Sequence, residues 1–368
     1  MNNIITLQQI ARETLPCLID NLVFPRLIYR DTGDATAARK GDTVLIRRSA
    51  QFDAKSFVQD AETETQTITE DVVEVHLDNI ATVDAVIGAW DAYDDETIRR
   101  AFIEPAAAAL AEKINSDGLA LYRYVPNITR IPGDGSGVDL LADAAYEMDI
   151  RKTPVNGRCG VFNPDHAKKI RSIGNLTGIP DDPWALGKCC GINTYMSQAV
   201  AHHTPGTLYD YMAGGKTVTV KNVDSTTNKV MLTAVDAIGS MTVLAGDILT
   251  IGGKQYTALA DSQTVGSNML VMVSPVFTGA VGDVVTMAGA HDANLVFHPH
   301  AFAFVTRPLS SPAGVESYVT TYNGISLRVV RGYDMKTKQE MLSMDVLYGF
   351  KAVCPELSAR VSYDAETL

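Results

Sequence analysis

Between Ser172 and Thr306 the chain contains no arginine and no glutamate, although both are frequent before and after that stretch. A compositional break at both ends is what a domain inserted into a loop of another domain produces. Long apolar runs are also missing: a run such as Met269 to Phe277 is short and interrupted by Pro275, so none can span a bilayer. No basic region precedes an apolar run at the N-terminus, which argues against a secretory signal. The five cysteines are odd in number, place Cys189 next to Cys190 and contain no Cys-x-x-Cys pair, so reduced thiols in a cytosolic chain are expected. In that setting the sequons at Asn127 and Asn175 carry no meaning.

Catalytic patterns are absent as well. There is no Gly-x-Ser-x-Gly elbow, and no cysteine has an identifiable base. Gly214-Gly-Lys-Thr217 invites a phosphate-loop reading, but Asp210 stands where that loop needs a glycine, and a strand-like segment follows where a helix must open. Of His202, His203, His291, His298 and His300, the pair His298 and His300 would lie on one side of an extended segment but has no third ligand at a recognisable spacing, so hydrogen-bonded structural histidines are expected rather than a metal centre. The expectation is no catalytic residue, no cofactor and no metal.

What is present is organised. A chain of 368 residues exceeds what one core usually holds together, and 46% hydrophobic with 20% charged residues describes a globular protein of two or three units. Leu7, Ile10, Ala11, Thr14, Leu15 and Leu18 recur at helical spacing, which predicts an amphipathic helix from about Thr6 to Asn21 despite Pro16. From Gly41 to Asn79 the charges are sorted: Arg39, Lys40, Arg47, Arg48 and Lys55 precede Asp60, Glu62, Glu64, Glu70, Asp71, Glu74 and Asp78. Strand patterns at Thr43 to Arg48 and Thr67 to Leu77 flank a polar tip, so a long hairpin with one basic and one acidic limb is expected. Such a hairpin buries little of its own and finds its second surface on another subunit. Arg47, Arg48, Lys55, Glu62, Glu64 and Glu70 are therefore the candidate intersubunit contacts.

Asp94-Asp-Glu begins a helix whose face runs through Ile98, Phe102, Ala106, Ala109, Leu110, Lys113 and Ile114 toward Tyr124, with Pro105 kinking or splitting it. Leu140, Leu141, Ala144, Ala145 and Met148 mark a second helix, and Asn163-Pro164 caps and opens a third ending near Ile173. Within the Arg-free stretch, Gly206 to Ala293 carries strand patterns at Thr217 to Lys221, Lys229 to Thr233, Ile248 to Ile251, Gln255 to Leu259, Met269 to Val273 and Val284 to Met287. Turns at Gly246-Asp247, Gly252-Gly253 and Gly282-Asp283 separate them, which indicates a small β-barrel. Farther on, Phe302, Phe304 and Thr306, then Ile325, Leu327 and Val329, alternate as strands with one buried face, and Asn323-Gly324 supplies a hairpin turn.

The wording of the last third is distinctive: Asn294-Leu-Val-Phe-His-Pro-His-Ala-Phe-Ala-Phe-Val-Thr-Arg-Pro-Leu309, Tyr322-Asn-Gly-Ile-Ser-Leu-Arg-Val-Val-Arg-Gly-Tyr-Asp334, Met344-Asp-Val-Leu-Tyr-Gly-Phe350 and Cys354-Pro-Glu-Leu357. It resembles the major capsid (coat) proteins of short-tailed bacteriophages, the subgroup whose shell fold carries an inserted domain. Earlier segments that share the resemblance are Ile10-Ala-Arg-Glu-Thr-Leu-Pro16, Leu22-Val-Phe24, Tyr29-Arg-Asp31, Lys40-Gly-Asp-Thr-Val44 and Ala245-Gly-Asp-Ile-Leu-Thr-Ile251. The family's usual continuation after Ile251 is replaced here by Gly252-Gly-Lys-Gln-Tyr256.

The resemblance implies an α+β chain with the shell fold of tailed phages, herpesviruses and encapsulins, bearing an inserted small β-barrel. Drawn on this sequence, residues 1–38 would be the N-terminal arm, 39–80 the extended hairpin loop, 81–138 and 326–368 the peripheral domain with a spine helix, 139–205 and 294–325 the axial domain, and 206–293 the barrel. It further implies pentamers and hexamers of this chain in a closed icosahedral shell, a scaffolding protein, a portal protein and packaged double-stranded DNA bound without sequence specificity, with no membrane partner, in a virion assembled in the bacterial host cytoplasm. A formal net charge of −12 suits such a container, because broad duplex binding depends on a basic surplus and packaged DNA must slide. A non-viral protein cage or a β-rich virion accessory protein is the alternative of another class, and an enzyme comes after both.

Overall fold

The computed structural model describes residues 6–31, 38–47, 72–87, 99–174, 176–178, 182–224, 226–234, 240–336 and 339–363. The fold is mixed α and β and divides into two compact units, one of Met1–Pro16, Arg30–Ala106 and Ala303–Val353, the other of Cys17–Tyr29, Ala107–Phe302 and Cys354–Leu368.

The first unit is built on a sheet in which Phe302–Arg307, Gln339–Ala352, Ile325–Asp334 and Glu316–Tyr322 lie in that order, with Asn79–Ile87 paired along Gln339–Ala352. Asn323 and Gly324 adopt φ of 50° and 73° between the paired residues Tyr322 and Ile325, the left-handed pair that a two-residue hairpin turn demands. Ile325, Leu327 and Val329 are buried as the alternation implies. Phe302–Arg307 departs from its expected single buried face: all six residues are buried, because this central strand is covered on both sides. Thr306 satisfies itself there by donating Oγ1 to the Leu347 carbonyl at 2.8 Å.

The helix Leu7–Asn21 matches its expected limits, and the six residues of its stripe from Leu7 to Leu18 are all buried. Thr14, a polar member of that stripe, turns its hydroxyl back to the Ile10 carbonyl at 2.7 Å, which removes the cost of burying it. The expected start of the long helix at Asp94 lies outside the described residues. Residues Arg99–Ile103 form a π-helical turn, and the α-helix runs Glu104–Leu119, so the helical winding changes next to Pro105, where a proline is expected to disturb it. Ala109 and Lys113, expected on the buried face, are exposed; Ala107 and Ala111 take their place. A stripe counted in steps of three and four drifts around a 3.6-residue helix, and a run of alanines does not say which of them leads it.

In the second unit six strands run in the order Ile128–Ile131, Ser358–Tyr363, Asn294–Phe297, Cys159–Phe162, Ile192–Met196 and Ala185–Cys189. The helix Gly137–Ile150 packs Leu140, Leu141, Ala144 and Met148 on this sheet, and its start is fixed by a capping box between Ser136 and Asp139. Asn163 caps Pro164–Arg171 by accepting from the His166 amide at 2.9 Å.

The Arg-free stretch contains a closed barrel of Val218–Asp224, Lys229–Ala234, Asn268–Ser274, Lys254–Ala258, Ile248–Ile251 and Val284–Met287, in that order around the ring. Each expected strand is recovered to within a few residues. Alternation fills the interior: Val220 lies opposite Leu232, Leu232 opposite Met269, and Val230 opposite Val271, with Tyr256, Leu249 and Val285 completing a buried core. Gly252 and Gly253, at φ of 57° and 77°, make the tight turn between Ile251 and Lys254.

Candidate functional site

Two places concentrate polar or exposed groups that packing alone does not require. The first is the base of the expected hairpin in the first unit. Thr43–Arg47 and Val72–His76 pair antiparallel as a two-stranded sheet, so alternation gives it two distinct faces. Ile46 and Val75 are buried in a cluster with Leu77, Ala303, Val305, Leu309 and Leu347. The opposite face presents Leu45 at 63% exposure and Val72 at 48%, alongside exposed Arg47 and Glu74. Arg47, at the end of its strand opposite Val72, is the candidate contact that falls in the described region. Arg48, Lys55, Glu62, Glu64 and Glu70 lie outside the described residues.

The second place is the neck of the barrel. The chain enters the barrel through His202–His203 and leaves it through His291–Asp292, and these two segments pair antiparallel, His203 opposite His291 and His202 opposite Asp292. Buried beneath the neck is a polar network. Asp247, in a barrel turn, is fully buried, yet its carboxylate accepts from the Leu244 amide at 2.7 Å and the Gly206 amide at 3.1 Å and meets His203 Nε2 at 2.8 Å. With Nε2–H directed at Asp247, His203 Nδ1 is the acceptor for the Tyr122 hydroxyl at 3.0 Å. Arg360, from the central sheet and equally buried, donates to the Gly246 carbonyl at 2.7 Å and to Thr257 Oγ1 at 3.2 Å, and its guanidinium lies 5.1 Å from the centre of the Tyr122 ring. Burial drives its pKa down, and Tyr122 and Asp247 oppose that shift.

His291 packs its ring at a tilt against His203 with ring centres 5.2 Å apart and directs Nδ1 at the Gly289 carbonyl at 2.8 Å. Burial pushes its pKa down to about 3, and Arg360, His203 and Arg130 add to the depression, so it is neutral at ordinary pH. Gln255 ties the barrel to the rim of the sheet: its amide oxygen accepts from the Ile128 N–H and its amide nitrogen donates to the Ile128 carbonyl, as a neighbouring strand would. Arg360 Nε and His291 Nε2 find no hydrogen-bond partner among the described residues, but the remaining bonds of the network fix one geometry, because removing any of them leaves a further uncompensated group in a low dielectric.

The histidines therefore hold structure: His202 pairs with Asp292 at 2.8 Å, and His298 stacks on His300 at 5.2 Å. Gly214 closes the short helix Leu208–Ala213 and a strand follows, the reverse of a phosphate loop. Sequence reasoning singled out neither Tyr122 nor Arg360. The available signal was a lone charged residue inside the strand Ser358–Tyr363.

No protein-family model matches the chain, and no curated protein matches its sequence. Solved structures similar to it include a chain of Mycobacterium phage Che8, 13% identical with a TM-score of 0.45 over 93% of this chain and 91% of that one. A chain in the capsid structure of the Cyanophage P-SCSP1u is 12% identical, with a TM-score of 0.46 over 94% and 89%. A chain of the virus-like particle from Pyrococcus furiosus is 8% identical, with a TM-score of 0.40 over 96% and 97%. The superpositions are loose.

Proposed function

We propose that this chain is a major capsid protein with the shell fold of tailed phages: a structural subunit that assembles through pentamers and hexamers into a closed icosahedral shell. On this reading it assembles in a bacterial cytoplasm on a scaffolding protein, incorporates a portal protein, and encloses double-stranded DNA without reading its sequence. The observation that carries the reading is the two-faced hairpin. One face is anchored on the first unit's core through Ile46 and Val75, while Leu45 and Val72 stand exposed on the other. A two-stranded ribbon is marginal by itself, and exposed apolar side chains on it mark a surface meant for a second copy of the chain. The wording of residues 294–357 and the order of arm, hairpin, long helix and barrel support the same assignment.

The function is then geometric. Single contacts must be weak enough to reverse, so that errors heal, and numerous enough per subunit to hold the finished lattice. The chain's net charge of −12 suits a container in which packaged DNA slides. Electron microscopy and sedimentation of the purified chain, alone and with the scaffold encoded beside it, test the proposal: closed shells are expected, and a chain that remains monomeric under every condition overturns it.

A further inference from the structure

Adjacent residues of a β-strand point to opposite faces, so neighbouring cysteines in a strand normally hold their sulfurs apart. Cys189 and Cys190 do not follow that rule. Cys189 is the last residue of the strand Ala185–Cys189 and pairs with Ile192 across the hairpin; Cys190 and Gly191 form the two-residue turn, with φ of 51° and 79°. The left-handed backbone at Cys190 swings its side chain back, and the two sulfurs lie 3.6 Å apart at an exposed tip. That separation is far longer than a disulfide bond of about 2.05 Å. It matches two sulfurs held by one soft atom: with bonds of about 2.3 Å and angles near 100–109°, the sulfurs sit roughly 3.5–3.8 Å apart.

We propose that Cys189 and Cys190 form a dithiol site that condenses with trivalent arsenicals of the type R–As=O. In the reaction two S–H bonds break and two As–S bonds form, and the arsenic oxygen leaves as water carrying both thiol protons. Arsenic stays trivalent, no electrons are transferred and no further reactant is needed. The turn supplies the advantage, because both thiols are already positioned and closing the chelate costs little chain entropy. Burial, then the hydrogen bond to Cys189, pushes the Cys190 thiol up to about 11. Alkylating reagents that need the thiolate accordingly react slowly there. Condensation with arsenic consumes neutral thiols and releases water, so a raised thiol pKa slows the adduct's formation without weakening the adduct.

The test uses the full chain and phenylarsine oxide, read by intact mass. One adduct per chain is expected, resisting an excess of a monothiol such as glutathione and released by 1,2-ethanedithiol. Cys190→Asn keeps the turn, since Asn-Gly is the preferred sequence for two left-handed residues, and its circular dichroism should match the parent. This variant and Cys189→Ser should both lose the monothiol-resistant adduct, whereas Cys17→Ala and Cys354→Ala should keep it. A resistant adduct that persists in a folded Cys190→Asn chain overturns the proposal. So does a parent chain that forms none although its Cys190 reacts with a disulfide reagent.

Discussion

The barrel and the hairpin are both made of short antiparallel strands, yet they solve the edge problem in opposite ways. The barrel closes: each of its six strands has two neighbours, and Val220, Leu232, Met269 and their fellows fill the middle. The ring fills its own interior, while its junction with the sheet draws on Tyr122, His203 and Arg360. The hairpin has two strands and one buried face, and Leu45 and Val72 remain on the other. It draws its order from what lies outside it. The same kind of local sequence thus yields an element with its own filled interior in one place and a one-faced ribbon in another, and ring closure decides which.

Excision breaks the comparison most directly and carries the largest expected effect. Residues 206–293 expressed alone should unfold cooperatively and give dispersed amide signals, while a peptide of residues 39–80 should show neither. A disordered barrel fragment would refute its autonomy.

Next in size is assembly. Reversing Arg47, Arg48 and Lys55 to glutamate should leave the monomer's melting temperature unchanged, since exposed pairs are worth only about 0–1 kcal/mol. Shell formation should fail or become strongly salt-dependent, because the small penalty recurs at every equivalent contact and is screened over about 10 Å at 0.1 M salt. Sedimentation at low and high salt decides; equal shells from both proteins would remove the hairpin from the interface.

A smaller effect follows from the neck. The folded-state pKa of His291, about 3, lies below its ordinary 6.5, so the unfolded chain binds the proton more readily. Its contribution is fully present above about pH 6.5 and declines as pH falls, by about 1.4 kcal/mol per pH unit at most until the folded group titrates near 3. His166 and His298 are depressed too, mainly by burial, and act in the same direction. Denaturant unfolding between pH 7 and 4 should show the slope, and His291→Gln should reduce it without abolishing it. An unchanged slope would mean that His291 is not the buried neutral group described.

The smallest effect sharpens the account of the barrel itself. Val at Gly252 or Gly253 forces a β-branched residue into left-handed backbone at a cost of about 1–2 kcal/mol. In an isolated domain of this size that lowers Tm by about 4–8 °C per kcal/mol, measurable by calorimetry. Two variants as stable as the parent would place the strain elsewhere.

Where structure is local, the sequence declares it. The barrel strands, the Asn163 cap and the Asn323-Gly324 turn depend on residues a few positions apart, and period, cap chemistry and positive φ report them. The neck network is invisible for the converse reason: Arg360 meets Gly246 across 114 positions and Thr257 across 103, and Tyr122 meets His203 across 81. Nothing in a neighbourhood of ten residues announces such partners. The long helix lies between these cases, since its existence is local but its facing depends on what it packs against. Ala109 and Ala111 are indistinguishable until the core chooses.

The paired neck has an engineering consequence. Because His203 faces His291 in an antiparallel ladder, the points where the chain leaves and rejoins the parent sheet stand about 5 Å apart. A module whose own ends are similarly close could be spliced there in place of the barrel without stretching either junction, provided that it also supplies partners for His203 and Arg360. The neck is in effect a socket, and each copy of the chain would carry one grafted module.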